Sequence, residues 1–347
     1  MAKFHSLTVS AIDKITPNAV AITFAVPAEL KAAFSFKAGQ YITIKHTKDN
    51  AEIRRAYSIC SSPNSDTLTV GVKKVEDGTF SVFANEKLIV GAALEVMPPE
   101  GLFIIEPEAT NNYMAFAAGS GITPILSIVK ATLEANTSSQ FVLVYGNQSK
   151  EEAMFISEIE TLKTNYPNRF FTEYLYSRKQ EEGARFGRIE RSTINFFTKN
   201  KYKETSFSNY YLCGPEPMIN EVSNTLQENG VDKEVIHFEL FTTTESDVSA
   251  ETLDGITQIT ITVDDETESF TMPQDQTILE AALEEGLDAP YSCQGGICST
   301  CIARIIEGKA EMQKNQILTD GEVAEGLILT CQAHPTTANI VVDYDDV

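Results

Sequence analysis

Four of the six cysteines follow a spacing that leaves few possibilities for the C-terminal part of the chain. Three of them share one short loop and the fourth stands alone downstream: Cys293, Cys298, Cys301 and Cys331. This C-x4-C-x2-C…C spacing is the ligand pattern of plant-type [2Fe–2S] clusters. Two glycines inside the loop, Gly295 and Gly296, allow it to wrap tightly. The sequence therefore predicts a [2Fe–2S] centre held by these four cysteines.

Two other roles for these cysteines fit the pattern less well. A structural zinc site can also use four thiolates, but its ligands usually come as two short C-x2–4-C pairs. Disulfides are not expected, because the N-terminus leads straight into a strand-like pattern without the apolar core of a signal peptide. That pattern predicts a reducing, cytoplasmic location. Zinc remains the alternative to the iron–sulfur cluster.

Charge limits the partners that the protein can have. Acidic residues outnumber basic ones by 49 to 27, and the net charge of −22 argues against nucleic acid or an anionic membrane. No stretch approaches the roughly 20 apolar residues of a membrane helix. From Ile256 onward there are 17 Asp and Glu against 3 Lys and Arg, which places 14 of the 22 net negative charges there. This acidic region is either a solvated surface or a docking face for a basic protein.

Residues 1–105 predict a small antiparallel β-barrel domain. Their β-rich segments are bounded by Pro, Gly, Asn or Asp, and six short strands with turns between them are typical of such a barrel. The predicted strands are Phe4–Ile12, Ala19–Val26, Tyr41–Lys45, Ala56–Ile59, Leu68–Lys73 and Ala93–Pro98.

Residues 106–241 alternate strands with helices, which predicts an α/β domain built on a parallel sheet. Sheets of this kind bind ligands at the carboxyl ends of their strands. The predicted strands are Tyr113–Ala118, Phe141–Tyr145, Phe170–Tyr176 and Asn209–Leu212, and the predicted helices are Pro124–Leu133, Glu151–Tyr166 and Glu216–Asn229.

The last part of the chain predicts a third domain after a linker. Residues 242–255 are polar and acidic and almost lack large apolar side chains, which is the composition of a linker. Residues 256–347 then form an α+β domain, with an alternating strand, a turn at Asp264–Glu268 and a helix at Ile278–Glu285. The predicted fold class is therefore multidomain, with an antiparallel β-barrel, an α/β parallel-sheet domain and an α+β domain.

A short segment of the barrel carries the groups that a flavin dinucleotide needs. Arg55 offers a planar cation for the pyrophosphate, Tyr57 a flat ring for the isoalloxazine, and Ser58 a hydroxyl near its reactive N5. A glycine followed by exposed backbone amides makes a plausible pyrophosphate cradle further along the chain. These additional flavin candidates are Lys73, Gly78, Thr79, Phe80 and Ser81.

The α/β domain carries the groups that a nicotinamide dinucleotide needs. A G-x-G-x-x-P loop lies between an apolar strand and a helix, where glycines admit the backbone and the helix start favours the anion. Its candidates are Gly119, Ser120, Gly121, Thr123 and Pro124. Cys213, Gly214 and Pro215 end another strand in the same crevice. Ser177 and Arg178 follow the third strand, where an adenosine 2′-phosphate would lie.

The order of these motifs resembles the ferredoxin–NADP reductase superfamily, with an added C-terminal domain similar to a plant-type β-grasp ferredoxin. The stretches Phe4–Val9, Ile22–Pro27, Arg54–Cys60 and Ile340–Tyr344 narrow the resemblance to reductase components that feed a di-iron oxygenase. The resemblance implies FAD stacked on Tyr57, with Ser58, Cys213 and Glu239 beside the hydride path. It also implies that Phe241 closes over the flavin. Gln148 stands where similar reductases often carry arginine, so both NADPH and NADH stay open.

The predicted activity is an NAD(P)H-dependent electron transfer through FAD and a [2Fe–2S] cluster to an oxygenase component. A flavin must lie between the other two centres because nicotinamide gives a two-electron hydride and an iron–sulfur cluster takes single electrons. Three alternatives remain: a reductase for another oxygenase or a hybrid-cluster protein, a redox-sensing protein without turnover, and a zinc-stabilised interaction module.

Overall fold

A computed structural model describes residues 3–48, 51–107, 111–135, 138–241 and 255–347. The chain divides into two compact units, a larger one that ends at Phe241 and a smaller one made mainly of the C-terminal residues. Of the predicted linker, 242–255, only Gly255 is among the described residues. None of the described helices combines the length and apolar character needed to span a bilayer.

The first part of the larger unit is a six-stranded sheet that confirms the predicted barrel. Its order is β4-β3-β6-β1-β2-β5, and β1 pairs antiparallel with both β2 and β6. Ile59, just after β4, forms a bridge with Val70 of β5, which joins the two edges of the sheet. The elements are β1 His5–Thr16, β2 Ala19–Ala25, β3 Tyr41–Lys48, β4 Ala51–Ser58, β5 Leu68–Lys73, helix α1 Thr79–Glu86 and β6 Ala93–Val96.

The barrel is filled by the inward side chains of its strands, because alternate residues of a strand point to the same face. Leu7 and Val9 of β1 and Ile42 and Ile44 of β3 are fully buried there. Phe80 of α1 joins them in the same core. The helix is thereby fixed against the barrel that was expected to hold the flavin.

The second part of the larger unit is a parallel sheet of order β10-β9-β8-β7-β11-β12. The chain runs outward from β7 on one side and from β11 on the other, so the topological switch lies between β7 and β11. The elements are β7 Tyr113–Ala118, α2 Ile122–Ala135, β8 Phe141–Asn147, α3 Ile156–Asn165, β9 Phe170–Tyr176, β10 Arg185–Phe186, α4 Arg191–Phe196, β11 Asn209–Cys213, α5 Glu216–Glu228 and β12 Ile236–Glu239.

Helix α3 was predicted to begin at Glu151, but in the structure it begins at Ile156. Phe155 has a φ of 58°, in the left-handed region, which cannot continue a right-handed helix backwards. Its ring is buried in the core of the α/β domain, and this packing holds the strained backbone. The short strand β10 and the strand β12 were not predicted.

The smaller unit is an α+β fold, as predicted, with a mixed sheet of order β14-β13-β19-β15-β17 and a two-stranded pair of β16 and β18. The β13–β14 hairpin turns at Asp264 and Asp265, which both have positive φ, as a tight hairpin turn requires. The elements are β13 Ile256–Val263, β14 Glu266–Pro273, α6 Ile278–Glu284, β15 Ile302–Glu307, β16 Ala310–Met312, α7 Asp320–Ala324, β17 Leu327–Leu329, β18 Ala333–Pro335 and β19 Asn339–Asp343.

Candidate flavin, nucleotide and cluster sites

The four predicted cluster ligands come together in the smaller unit. Cys298, Cys301 and Cys331 are buried and Cys293 is half-buried. The Cys293 side chain interacts with those of Cys298 and Cys331, and the Cys301 side chain interacts with that of Cys331. Contacts from Cys298 and Cys331, together with backbone amides, hold the pKa of the Cys293 thiol well below its ordinary value. The chain therefore brings together four sulfur ligands from a loop and a separate strand end.

The backbone conformation of the loop around Cys293 is also suited to binding an iron–sulfur cluster. Gly296 and the non-glycine Gln294 both have left-handed φ values, and Gly295 N donates a hydrogen bond of 3.3 Å to Cys293 Sγ. Amides directed at a ligand sulfur stabilise its negative charge and help to set the cluster potential. In the described residues, no three or more His, Cys, Asp and Glu side chains are arranged to hold a single metal ion. A [2Fe–2S] centre is held by four cysteines, the number that this domain brings together.

The distant ligand Cys331 is placed by the helix that packs behind it. Leu279 N of α6 donates a 3.1 Å hydrogen bond to the carbonyl of Thr330, and the Thr330 hydroxyl donates to the carbonyl of Cys301 at 2.9 Å. One threonine thus connects α6 with both the loop ligand and the distant ligand. This explains how residues far apart in the sequence keep a fixed relation.

The predicted flavin residues lie at the end of β4 and at the start of α1. The rings of Tyr57 and Phe80 are 5.4 Å apart, so the tyrosine is supported from within the barrel. Arg55 lies on the same strand, and its guanidinium donates to the Arg54 carbonyl at 2.8 Å. Ser58, the last residue of β4, is buried. Tyr57 and Ser58 are therefore the last two residues of β4, and their contact with a flavin stays a prediction.

The predicted pyrophosphate cradle is the N-terminus of α1. Gly78 is the N-cap residue and Thr79 the first residue of the helix. A Cβ on Gly78 would collide with the Ser81 hydroxyl, which accepts a hydrogen bond from Val75 N at 3.2 Å. Any larger residue at this position would therefore displace the Ser81 hydroxyl from its hydrogen bond to Val75 N. The free amides of a helix start suit a phosphate, whereas the buried side chain of Phe80 serves the core.

The nucleotide loop lies at the switch point of the parallel sheet. Gly119 has a φ of 56°, and a Cβ on it would stand 3.9 Å from Lys73 Nζ, so Lys73 of the barrel reaches this loop. A Cβ on Gly121 would press on the backbone of Cys213 and come within 2.8 Å of Gly214 N. The loop after β7 and the end of β11 are thus closely packed. The ammonium of Lys73, a residue predicted for the flavin, therefore lies beside the predicted nucleotide loop.

Other predicted nucleotide residues occupy the same edge of the sheet. Thr123 donates its hydroxyl to the Ser120 carbonyl at 3.0 Å, which closes the first turn before α2. Pro124 is buried in the first turn of that helix, and Pro215 is the N-cap of α5. The amides of Ser177 and Arg178 donate to the carbonyls of Asn147 and Gln148 at 3.0 Å and 2.9 Å, which fixes the turn after β9.

The sequence analysis did not predict a role for Tyr145, although this residue contacts the nucleotide loop. Its side chain is fully buried on β8, and its hydroxyl donates to the Gly119 carbonyl at 3.0 Å. Burial raises the pKa of this hydroxyl far above its ordinary value, so it stays a donor. Its only sequence signal was an aromatic residue near the end of an apolar strand, which is common in cores.

Ser58, Cys213 and Glu239 meet, although they come from three separate strands. Ser58 donates its hydroxyl to Glu239 Oε2 at 3.0 Å across a gap of 181 residues. Cys213 and Glu239 are register partners at the ends of β11 and β12. Burial raises the pKa of Glu239 to about 8, and burial together with the nearby Glu239 raises that of the Cys213 thiol well above its ordinary value. Near neutral pH both groups therefore keep their protons.

Phe241 follows β12 and packs, half-buried, against the core of the α/β domain. It lies two residues beyond Glu239, at the edge of the sheet where the three polar side chains meet. This position is compatible with the predicted contact to the flavin, which stays a prediction.

Comparisons with known families match three successive parts of the chain. A family model for an oxidoreductase FAD-binding domain matches residues 6–105, one for an oxidoreductase NAD-binding domain matches residues 116–224, and one for a 2Fe-2S iron-sulfur cluster binding domain matches residues 261–336. The first two matches contain the candidate flavin and dinucleotide residues except Phe241, and the third contains the four candidate cluster cysteines. The alternative of a zinc-stabilised module finds no support in them.

Individual relatives match over nearly the whole chain. It is 38% identical to a subunit of 1,2-phenylacetyl-CoA epoxidase from Escherichia coli (strain K12), over 99% of both chains. It is 31% identical to the ferredoxin reductase component of 3-ketosteroid-9-alpha-monooxygenase of Rhodococcus rhodochrous, over 97% of this chain and 96% of that protein. The solved structure of phthalate dioxygenase reductase has the same fold, with a TM-score of 0.62 and 22% identity over 98% of each chain.

Proposed function

Because the chain belongs to the oxidoreductases that join an FAD-binding domain, a NAD-binding domain and a C-terminal 2Fe-2S domain, we propose that it is the reductase component of a phenylacetyl-CoA epoxidase. In this role it takes reducing equivalents from NAD(P)H and supplies electrons to the oxygenase component during phenylacetate degradation in the cytoplasm. The proposal for this acceptor rests on the 38% identity to a component of that enzyme over 99% of both chains.

Each of the three groups has residues in the described chain that would hold it. Tyr57, Ser58 and the start of α1 would hold FAD, the loop from Gly119 to Gly121 would hold the dinucleotide, and the four cysteines would hold the cluster. When bound, FAD supplies the exchange between a two-electron hydride and single electrons, which the cluster alone cannot perform. The protein contributes orientation, exclusion of water and local charge.

The main structural support for reductase chemistry is the hydrogen bond from Ser58 to Glu239. Cys213 lies beside Glu239 as its partner in the β11–β12 register. This hydrogen bond joins the end of β4 to the crevice where a nicotinamide would lie, between the ends of neighbouring parallel strands. A Glu239 carboxyl with a pKa of about 8 adds no negative charge there at neutral pH. The Ser58 hydroxyl is held in one orientation, and the half-buried Phe241 helps to keep water out.

The test has two stages that separate the chemistry from the acceptor. Anaerobic mixing of the FAD- and iron-loaded protein with NADH or NADPH should bleach the flavin absorbance, which a redox-sensing protein without turnover would not show at a catalytic rate. Coupled turnover with a purified phenylacetyl-CoA epoxidase oxygenase should then consume the nicotinamide in step with substrate oxidation. Rapid bleaching without coupled turnover would retain the reductase and refute this acceptor.

A second acceptor class deserves the same assay, because the relatives differ in what they serve. The match to a 3-ketosteroid-9-alpha-monooxygenase reductase extends over 97% of this chain at 31% identity. The same three-domain order therefore supports electron delivery to a different oxygenase. Faster turnover with that oxygenase than with the epoxidase would favour this second assignment.

A further inference from the structure

One face of helix α2 is hydrogen-bonded to the segment that follows β4, the strand that ends in the predicted flavin residues Tyr57 and Ser58. We call this set of hydrogen bonds the fastening, and β4 the flavin strand. Three side chains of the helix, spaced by three and four residues, make hydrogen bonds to residues 60–64: Ser127, Lys130 and Glu134. Side chains at this spacing share one face of a helix. Helix α2 begins directly after the nucleotide loop, and residues 60–64 begin two residues after Ser58. These hydrogen bonds therefore link the part of the chain predicted to hold the dinucleotide with the part predicted to hold the flavin.

The contacts are specific, and the side chains of Ser127 and Ser62 are buried, whereas those of Glu134 and Asn64 are exposed. Ser127 is fully buried and donates to the Ser61 carbonyl at 2.7 Å, and Lys130 donates to the Cys60 carbonyl at 2.7 Å. Glu134 accepts hydrogen bonds from the Ser62 hydroxyl and, at 3.1 Å, from the Asn64 side chain. Backbone carbonyls of one short segment thus receive donors from one helix. Such bonds fix position more strictly than apolar packing, which can slide.

Lys130 is the central member of this set. Only 12% of its side chain is exposed, and its ammonium also forms a 2.7 Å ion pair with Glu158 of α3. A mostly buried ammonium needs both partners, because a cation without them is costly to bury. One side chain therefore holds two helices of the α/β domain against the chain segment that leads from Ser58.

A tight contact at the start of α2 supports the same arrangement. A Cβ on Gly71 of β5 would lie 2.7 Å from Thr123 Cγ2 and 2.9 Å from the Phe155 ring, so only glycine admits this approach. The barrel and the nucleotide helix are therefore in close contact near the phosphate loop as well as at Lys130.

We propose that Lys130, with Ser127 and Glu134, is a positioning residue that sets the relation between the nucleotide loop and the flavin strand. The inference rests on the proposed reductase function and adds residues that contact neither the dinucleotide loop nor Ser58 directly. Loss of the fastening should leave cofactor binding nearly intact but misplace the donor carbon relative to the acceptor. Misplacement by about 1 Å can cost a reaction roughly 100-fold in rate.

The test compares Lys130→Met with Lys163→Met, which removes an exposed lysine paired with Glu160 on α3. Stopped-flow flavin reduction at saturating dinucleotide should slow by about 10- to 100-fold in Lys130→Met. The dissociation constant of the dinucleotide and the FAD content should stay close to those of the unaltered protein. The charge-transfer absorbance between nicotinamide and flavin should weaken, whereas Lys163→Met should behave like the unaltered protein.

A measurement on the dinucleotide-free protein provides a readout other than activity. Amide hydrogen exchange in residues 60–64 and in the first turns of α2 should become faster in Lys130→Met and not in Lys163→Met. Lys130→Arg, which keeps the charge and the donors, should restore most of the rate. If Lys130→Met does not fold, Ser127→Ala removes one bond of the same set and should show the same pattern more weakly.

The two proposals fail in different ways. An unaltered protein that NAD(P)H cannot reduce would refute the proposed function itself. A folded, FAD-loaded Lys130→Met protein with an unchanged reduction rate and unchanged exchange would refute only the positioning role. A loss of rate together with an equal loss of dinucleotide affinity would also refute it, because the residue would then act on binding.

Discussion

Substitution of Gly121 by alanine is the sharpest test of the nucleotide loop. This glycine stands between β7 and α2, and an added methyl would come within 2.8 Å of Gly214 N and closer still to the Cys213 carbonyl. Cβ atoms essentially never approach other atoms within 3.0 Å, and the atoms in the way belong to backbone. The loop and the end of β11 must therefore move apart.

The size of the effect follows from this displacement. Relief of the overlap requires a movement of about 1 Å, which is enough to cost roughly 100-fold in the rate of a positioned reaction. Cys213 lies at the end of the strand that is pushed, beside Glu239, so the nicotinamide part of the site is displaced together with the phosphate part. We expect flavin reduction by NADH and NADPH to slow by about two orders of magnitude and dinucleotide affinity to fall as well.

Stopped-flow spectroscopy under anaerobic conditions measures both quantities from the dependence of the reduction rate on dinucleotide concentration. Gly321→Ala is the matched control, since a Cβ there meets nothing closer than 3.9 Å and lies in the smaller unit. Flavin content and circular dichroism of Gly121→Ala should match those of the control. An alanine variant that is folded, holds FAD and reduces it at the original rate would show that the dinucleotide does not bind at this loop.

Three further predictions address the cluster, the acid and the flavin. Cys298→Ser should lower cytochrome reduction to roughly a tenth or less while flavin bleaching by NAD(P)H continues, because one of four thiolate ligands is lost; equal cytochrome reduction would exclude Cys298 from the route. The raised pKa of Glu239, about 8 against an ordinary 4.5, means that the stability it contributes is complete below pH 4.5 and lost as the pH rises through 8. Glu239→Gln should therefore gain thermal stability relative to the unaltered protein as the pH rises from 5.5 to 8.5, and a constant difference in melting temperature would contradict the raised pKa of this carboxyl. Tyr57→Ala should weaken FAD binding by about 2- to 12-fold, as expected for a lost aromatic stack worth roughly 0.5–1.5 kcal/mol; an unchanged dissociation constant of FAD would remove Tyr57 from the site.

The features that the sequence predicted well are those in which spacing and chemistry coincide. The four cysteines could be assigned because a loop of three thiolates with two glycines has few other uses. The six barrel strands and the four main parallel strands were recognised because apolar residues and turn residues alternate clearly along them. Ser58, Cys213 and Glu239 were assigned partly by resemblance, and their meeting in space depends on three strand ends that no single segment displays.

The features that the sequence did not predict depend on long-range contacts. The start of α3 at Ile156 follows from the burial of Phe155, and a helical pattern from Glu151 carries no sign of it. The fastening of α2 uses a serine, a lysine and a glutamate, which on a helix usually face solvent. Their partners lie 66 to 72 residues away and include backbone carbonyls, which have no side-chain signature.

The strand order of the parallel sheet places the residues predicted to choose between NADH and NADPH far from those predicted to lie beside the nicotinamide. Ser177 and Arg178 follow β9, and Cys213 ends β11, three strand positions away in the order β9-β8-β7-β11. Neighbouring strands lie about 4.8 Å apart, so the two places are about 14 Å from each other across the sheet. We therefore expect substitutions in the turn after β9 to change the preference between NADH and NADPH without altering the side chains at the end of β11.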